Sequence, residues 1–156
     1  MNNLEDIENI THKKGDILTE KVEALVNPVN CVGVMGKGLA LQFKKAFPEN
    51  YQQYKLACNN QEVEPGKMFV TQTTNLLPKY IINFPTKRHW RAKSKIEDID
   101  SGLIALTNRV QILGIKSIAI PPLGCGNGGL NWEVVQPKII DAFKNMPDLK
   151  VVIFEP

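Results

Sequence analysis

Cysteine, histidine and long apolar runs are what this sequence has least of. Its three cysteines, Cys31, Cys58 and Cys125, are odd in number and show no CxxC or similar metal-like spacing. That excludes a disulfide framework and suits a reducing compartment. The two histidines, His12 and His89, lie far apart without a cysteine or carboxylate pattern beside them. No structural or catalytic zinc is expected, and no metal or redox cofactor. No apolar run approaches the roughly 20 residues that span a bilayer. Residues 1–8 are polar and acidic, unlike the basic start and apolar core of a secretory leader. A cytoplasmic protein without a membrane partner is therefore expected. Charge is nearly balanced as well: 19 Lys and Arg against 16 Asp and Glu leave +3, so placement of charge matters more than its sum.

What is present is an ordinary globular composition, 43% hydrophobic and 22% charged over 156 residues. One domain of that length buries a core without staples, and disorder is excluded. The chain shows no repeat, low-complexity tract or dividing linker, so residues 1–156 read as one unit.

Strand-length apolar runs alternate with stretches of helical period. Residues 22–29 (VEALVNPV), 68–73, 80–84, 117–120 and 150–154 (KVVIF) read as strands. Residues 38–47 carry Leu39, Phe43 and Phe47 at four-residue spacing and halt at Pro48, a helix with a short continuation through Tyr51, Tyr54 and Leu56. A long helix follows, with Ser94 and Glu97 at capping-box spacing, apolar Ile96, Ile99, Leu103, Leu106, Val110 and Leu113, and Gly114 as its stop. Residues 131–145 form the last helix. Strands separated by helices predict an α/β fold, a mixed or parallel central sheet sandwiched between helices.

Two glycine-rich loops each follow a predicted strand and lead into a helix: residues 26–40 (VNPVNCVGVMGKGLA) and 120–132 (IPPLGCGNGGLNW). Open α/β sheets bind ligands at such strand ends. Glycine lets backbone amides approach an anion, and a helix N-terminus adds a favourable dipole. Tight turns alone explain either loop; the pair in this setting favours a diphosphate. Familiar nucleotide motifs fit less well. A Walker A loop fails because Cys31 stands where its first glycine belongs and Gly38 follows Lys37. The second loop spells GxGxxG through Gly124, Gly126 and Gly129, and Glu155 could pose as the ribose-binding acid. Only one short strand remains after it, which argues against a dinucleotide-dependent dehydrogenase.

With KKGDIL around Asp16, VNPVN, MGKGLA and PPLGCGNGGLNW in this order, the chain from Ile10 to Phe154 resembles a macrodomain. MGKGLALQFKKAFP, NFPTKRHW and LGCGNGGLNW resemble the branch that holds human terminal ADP-ribose protein glycohydrolase and the bacterial DarG antitoxins, and NFPTKRHWR is most similar to the latter. The resemblance implies an ADP-ribose site. Asp16 would accept from the adenine amino group, with Ile17 beside it and Phe154 against the ring. Asn30 would orient the distal ribose. Met35, Gly36, Lys37 and Gly38 of the first loop, and Leu123, Gly124, Cys125, Gly126, Asn127, Gly128 and Gly129 of the second, would surround the diphosphate. Blander roles stay open: Asp16 as a helix N-cap, Asn30 as a brace of its own turn, Phe154 as core.

Lys87 stands where this branch carries an active lysine, and it is the candidate catalytic residue. As a nucleophile it would need a depressed pKa, from burial or a cationic neighbour such as Arg88; most lysines are simply solvated. The human enzyme's branch has an assisting aspartate where this chain has Gly128, and DarG-like sequences share its lack. Lys87 would then stabilise the leaving base while water attacks C1″. Arg88, His89, Trp90 and Arg91, with Lys93 and Lys95 following, would hold single-stranded DNA by phosphate attraction and base stacking. The implied activity is removal of ADP-ribose from thymidine in DNA by a monomer, as antitoxin to a DarT-type toxin. A DarG-like protein would carry a further C-terminal domain beyond this unit. Two rival readings are a non-catalytic ADP-ribose reader and a glycohydrolase of ADP-ribosylated glutamate on proteins.

Overall fold

The computed structural model describes residues 7–156. Its sheet has six strands in the order β1–β6–β5–β2–β4–β3: β1 Ile10–Lys13, β2 Ala24–Val29, β3 Phe69–Gln72, β4 Tyr80–Pro85, β5 Ser117–Ile120 and β6 Lys150–Phe154. All neighbours run parallel except β3, which lies antiparallel to β4 at one edge. The mixed sheet predicted from the alternation of elements is therefore present.

Strand alternation assigns the two faces. Ala24 and Val26, Ile82 and Phe84, Ile118 and Ile120, and Val151 and Ile153 share one core with α3 (Ile96–Leu113) and α4 (Trp132–Phe143). The intervening Leu25, Ile81, Ala119 and Val152 point to the other face, where Phe43 of α1 (Gly38–Ala46) covers them. Tyr54 and Ala57 of α2 (Pro48–Asn59) close a third cluster with Val29, Met35 and Val63. Side chains of successive strand residues point to opposite faces, so a strand covered by helices on both is mostly apolar, with any buried polar group hydrogen-bonded, as Asn27 is to Asn83. Among the described residues no helix is long and apolar enough to cross a membrane.

Three local expectations are corrected. Pro48 does not merely halt α1; it is the first residue of α2, a separate 12-residue helix. Proline has no N–H to lose at a helix start, so one residue both ends α1 and opens α2. β1 went unread because ITHK is short and mostly polar; it pairs with β6 only, at the sheet edge. The Ser94–Glu97 capping box does not form. The N-cap of α3 is Lys95, without a side-chain bond, whereas Ser94 turns its N–H to the Gly128 carbonyl at 3.0 Å. A tertiary contact has overridden the local cap. Gly114 does close α3, in the left-handed conformation at φ +64°.

Candidate functional site

Register brings the loops together. β2 and β4 pair from Ala24–Tyr80 to Val29–Pro85, so both strands end at one level, with Asn30 next to Thr86 and Lys87. Thr86 N–H still reaches the Val29 carbonyl at 2.9 Å. β5 lies on the other side of β2 and leads through Pro122 into the second glycine loop. These three exits enclose a cavity of about 530 Å³, in the size range of small-molecule sites.

The first loop supplies Asn30, Val34, Gly36 and Lys37 to its wall, and the first turn of α1 adds Gly38, Leu39 and Ala40. No side chain caps that turn, so the positive end of the helix faces the cavity, a ready anion site. Gly38 sits at φ +63°, and a Cβ there would stand 3.2 Å from Asn127 Nδ2. The two glycine loops thus touch, and only glycine allows both the conformation and the approach. Gly124, Gly126, Asn127 and Gly128 line the opposite wall. A side chain at Gly128 would collide with Ser94 Oγ and the Gly124 carbonyl.

Asn30 is buried and heavily used. Its Oδ1 accepts from Val32 N–H at 3.0 Å and from the Tyr54 hydroxyl at 2.8 Å, while Nδ2 donates to the Val34 carbonyl at 2.7 Å. It braces its own loop, the blander of the two roles considered for it, and lines the cavity at once.

Lys87 lines the cavity from the end of β4. Its carbonyl accepts from Cys31 Sγ at 3.5 Å. Burial lowers its pKa, and Lys37 and Lys93 lower it further. Arg88 is not the responsible neighbour; its fork grips Asp98 with two bonds of 3.1 Å, which raises the arginine's own pKa. Lys93 lies across Gly129, its Nζ 3.6 Å from where a Cβ would stand. Among the described residues none of Lys37, Lys87 and Lys93 pairs with a carboxylate, and no Asp or Glu lines the cavity. Like charges gathered without a counter-ion make this end of the cavity electropositive.

Trp90 lines the cavity and is 40% exposed. His89 stacks on it at 5.5 Å, and the Arg91 guanidinium lies 4.5 Å from its ring centre. An exposed indole fixed in this way presents aromatic surface at the cavity wall.

The comparisons with known proteins agree with this geometry. The Macro domain family model matches residues 26–139. The chain belongs to the macro domain family. The macrodomain is 56% identical, over 94% of its length, to the DNA ADP-ribosyl glycohydrolase of Mycobacterium tuberculosis, but covers 42% of that protein. It thus spans about two fifths of the length of that glycohydrolase. The solved macrodomain of Mycobacterium tuberculosis DarG superimposes with a TM-score of 0.93 at 56% identity, over 94% of this chain and 97% of that one. Thermosipho africanus DarTG in complex with ADP-ribose gives a TM-score of 0.90 at 37% identity, over 96% of this chain and 42% of that one.

Of the residues the sequence singled out, the macrodomain's cavity gathers Asn30, Gly36, Lys37, Gly38, Lys87, Trp90, Gly124, Gly126, Asn127 and Gly128. Met35 and Leu123 are core side chains, 1% and 0% exposed. Cys125 packs partly against the main core, and burial pushes its thiol up to about 11. Asp16, Ile17 and Phe154 lie outside the cavity wall. Ile17 and Phe154 share a core cluster, and Asp16 Oδ1 accepts from Leu18 N–H at 3.0 Å as the N-cap of the 3-10 turn Ile17–Thr19. Sequence reasoning missed Thr86, Val34 and Pro122 in the wall and Tyr54 behind Asn30. The aromatic spacing of Tyr51 and Tyr54 was the only signal for the last.

Proposed function

We propose that this macrodomain binds ADP-ribose and hydrolyses the N-glycosidic bond joining it to thymine in single-stranded DNA. It thereby acts, as a monomer, as antitoxin to a DarT-type DNA ADP-ribosyltransferase. The observation that carries the reading is a cavity with two uncompensated lysines, a helix N-terminus and a glycine loop in its wall and, among the described residues, no carboxylate. The naming of a relative 56% identical as a DNA ADP-ribosyl glycohydrolase supports the substrate. A 38% identical relative named as a fusion of DNA ADP-ribosyl transferase and glycohydrolase supports the partner.

In this reading the diphosphate rests between the start of α1 and residues 124–128, and the distal ribose lies between Asn30 and Lys87. Asp16, Ile17 and Phe154 meet the adenine beyond the cavity, and the backbones of Met35, Leu123, Cys125 and Gly129 shape the loops. Water adds to C1″ as the C1″–N bond breaks; the base departs with the bonding pair, and its nitrogen takes up the proton that the attacking water sheds. Lys87 stabilises the negative charge developing on the base. With no acid in the wall, a lysine–sugar adduct has no carboxylate to assist it. Arg91, His89 and Trp90 hold the strand outside, with Arg88 fixed by Asp98 as a brace for the segment.

The test is incubation with an ADP-ribosylated thymidine oligonucleotide and, in parallel, a glutamate-ADP-ribosylated protein. Release is expected from the DNA. Lys87→Ala should slow it on the order of 100-fold or more, while ADP-ribose affinity changes little, as expected for an interaction made mainly in the transition state. Lys87→Arg keeps the charge but cannot act as a nucleophile, so retained activity there supports charge stabilisation. Wild-type turnover by Lys87→Ala would assign catalysis to another group, and absence of release by the wild type from either substrate would leave a reader.

A further inference from the structure

One buried polar group is used neither by the fold nor by the proposed chemistry. Ser94 is 7% exposed, and its hydroxyl has no hydrogen-bond partner. Buried hydroxyls are nearly always partnered, so an orphan calls for an explanation. This one sits against the second glycine loop. It is the nearest atom to the point where a Gly128 side chain would start, and Ser94 Cβ lies 3.2 Å from the corresponding point on Gly124. Gly124 and Gly128 line the cavity and Ser94 does not, so the hydroxyl meets the loop from behind.

The peptide unit explains what such a group could do. N–H and C=O of a trans peptide point in opposite directions. A loop that turns its N–H groups toward an anion must turn the matching carbonyls to its rear, where a donor is then needed. The carbonyls of Gly124, Gly126 and Gly128 already accept from the N–H groups of Leu130, Gly129 and Ser94. Among the described residues the carbonyl of Asn127, in the peptide that carries the Gly128 N–H, accepts none. We propose that Ser94 is a positioning residue for the diphosphate loop: its hydroxyl donates to the rear carbonyl of that peptide when the Gly128 N–H turns onto a phosphate. The inference rests on the reading of the cavity as an ADP-ribose site. The Ser94 N–H bond to Gly128 holds the pair in place beforehand.

Ser94→Ala keeps the packing and removes only the donor. Thermal melting of the ligand-free protein should not fall, because an unpartnered hydroxyl has been removed. Calorimetric titration should show ADP-ribose and ADP both bound about tenfold more weakly, the size of one gained hydrogen bond at the upper end of its range. In wild type the Gly128 amide resonance should shift on ADP addition, and in the variant that shift should shrink. An unchanged affinity, or a loss of melting temperature alongside the loss of affinity, overturns the role of Ser94. Failure of the wild type to bind either ligand overturns the reading of the cavity instead.

Discussion

Lys37 and Lys87 reach the cavity wall from the start of α1 and the end of β4, and Lys93 lies over the second loop at Gly129, on the approach to α3. The last two are neighbours in sequence but serve different ends, one in the wall and one over the second loop. Their mutual repulsion adds to burial in depressing the Lys87 amine below its ordinary 10.5. Lys93→Met removes one of the repelling charges, so the Lys87 pKa should rise toward the ordinary value. If Lys87 works protonated, activity is present below its pKa and lost as pH rises through it, and in the variant that loss moves to higher pH. If it worked neutral, the rise in activity would move to higher pH instead. The pH–rate profile of oligonucleotide cleavage checks this, and a limb that stays where it was excludes Lys93 as a tuning charge.

At the scale of elements, asparagines join apolar contacts in tying α2 and β3 to the central strands. Asn27 Nδ2 and Asn50 Nδ2 both donate to Asn83 Oδ1, at 3.1 and 3.0 Å. Asn83 Nδ2 answers to Asn50 Oδ1 at 2.8 Å and to the Phe69 carbonyl at 2.9 Å, and Thr71 completes the set through Asn50. All four side chains are buried. Asn83→Ala leaves several of these groups unpartnered, and a cost of about 2–3 kcal/mol in urea unfolding is expected. Because the network holds β2 and β4 below their exits, the substrate cavity should loosen with it. Asn83→Asp offers no comparable rescue, since it replaces the donor by a charge. Pro48 belongs to this scale as well: it sets the break that lets α1 point its start at the cavity while α2 braces Asn30 through Tyr54.

At the scale of the whole molecule, the lysines of the cavity wall continue into the exposed basic segment of residues 87–95. That segment, with Trp90 and Arg91 above the cavity mouth, should feel salt as any polyanion site does. Cleavage of the modified oligonucleotide at limiting substrate should fall steeply between 50 and 200 mM salt, roughly in proportion to the number of phosphates held, and free ADP-ribose binding should change far less. Trp90→Ala should weaken the oligonucleotide by about 1–3 kcal/mol, the worth of one stacked base, measured against free ADP-ribose as control. Equal salt sensitivity for both ligands would mark the basic stretch as a merely solvated face.

Much of this was legible in the residues themselves. The apolar runs of β2, β4, β5 and β6 and the period of α3 carry the layer order, because burial on two faces leaves no other composition. The glycine loops announce themselves because amides can approach an anion only where side chains are missing. β1 was not legible, since an edge strand of four residues needs only one partner and little apolar surface. The false cap at Ser94 shows the limit of local rules: a serine three residues before a glutamate is a good cap until a distant carbonyl competes for its backbone. Likewise Arg88 looked like the charge beside Lys87 from adjacency, yet Asp98, in the first turn of α3, claims it. Sequence alone determined the layered sheet, the two loops and the basic segment, because periodicity and glycine content are properties of neighbouring residues. Only the tertiary structure decided which lysines face one another, that no carboxylate enters the cavity and that Ser94 lies behind Gly128. Those facts depend on the parallel register of β2, β4 and β5, which brings residues far apart in the chain to one level.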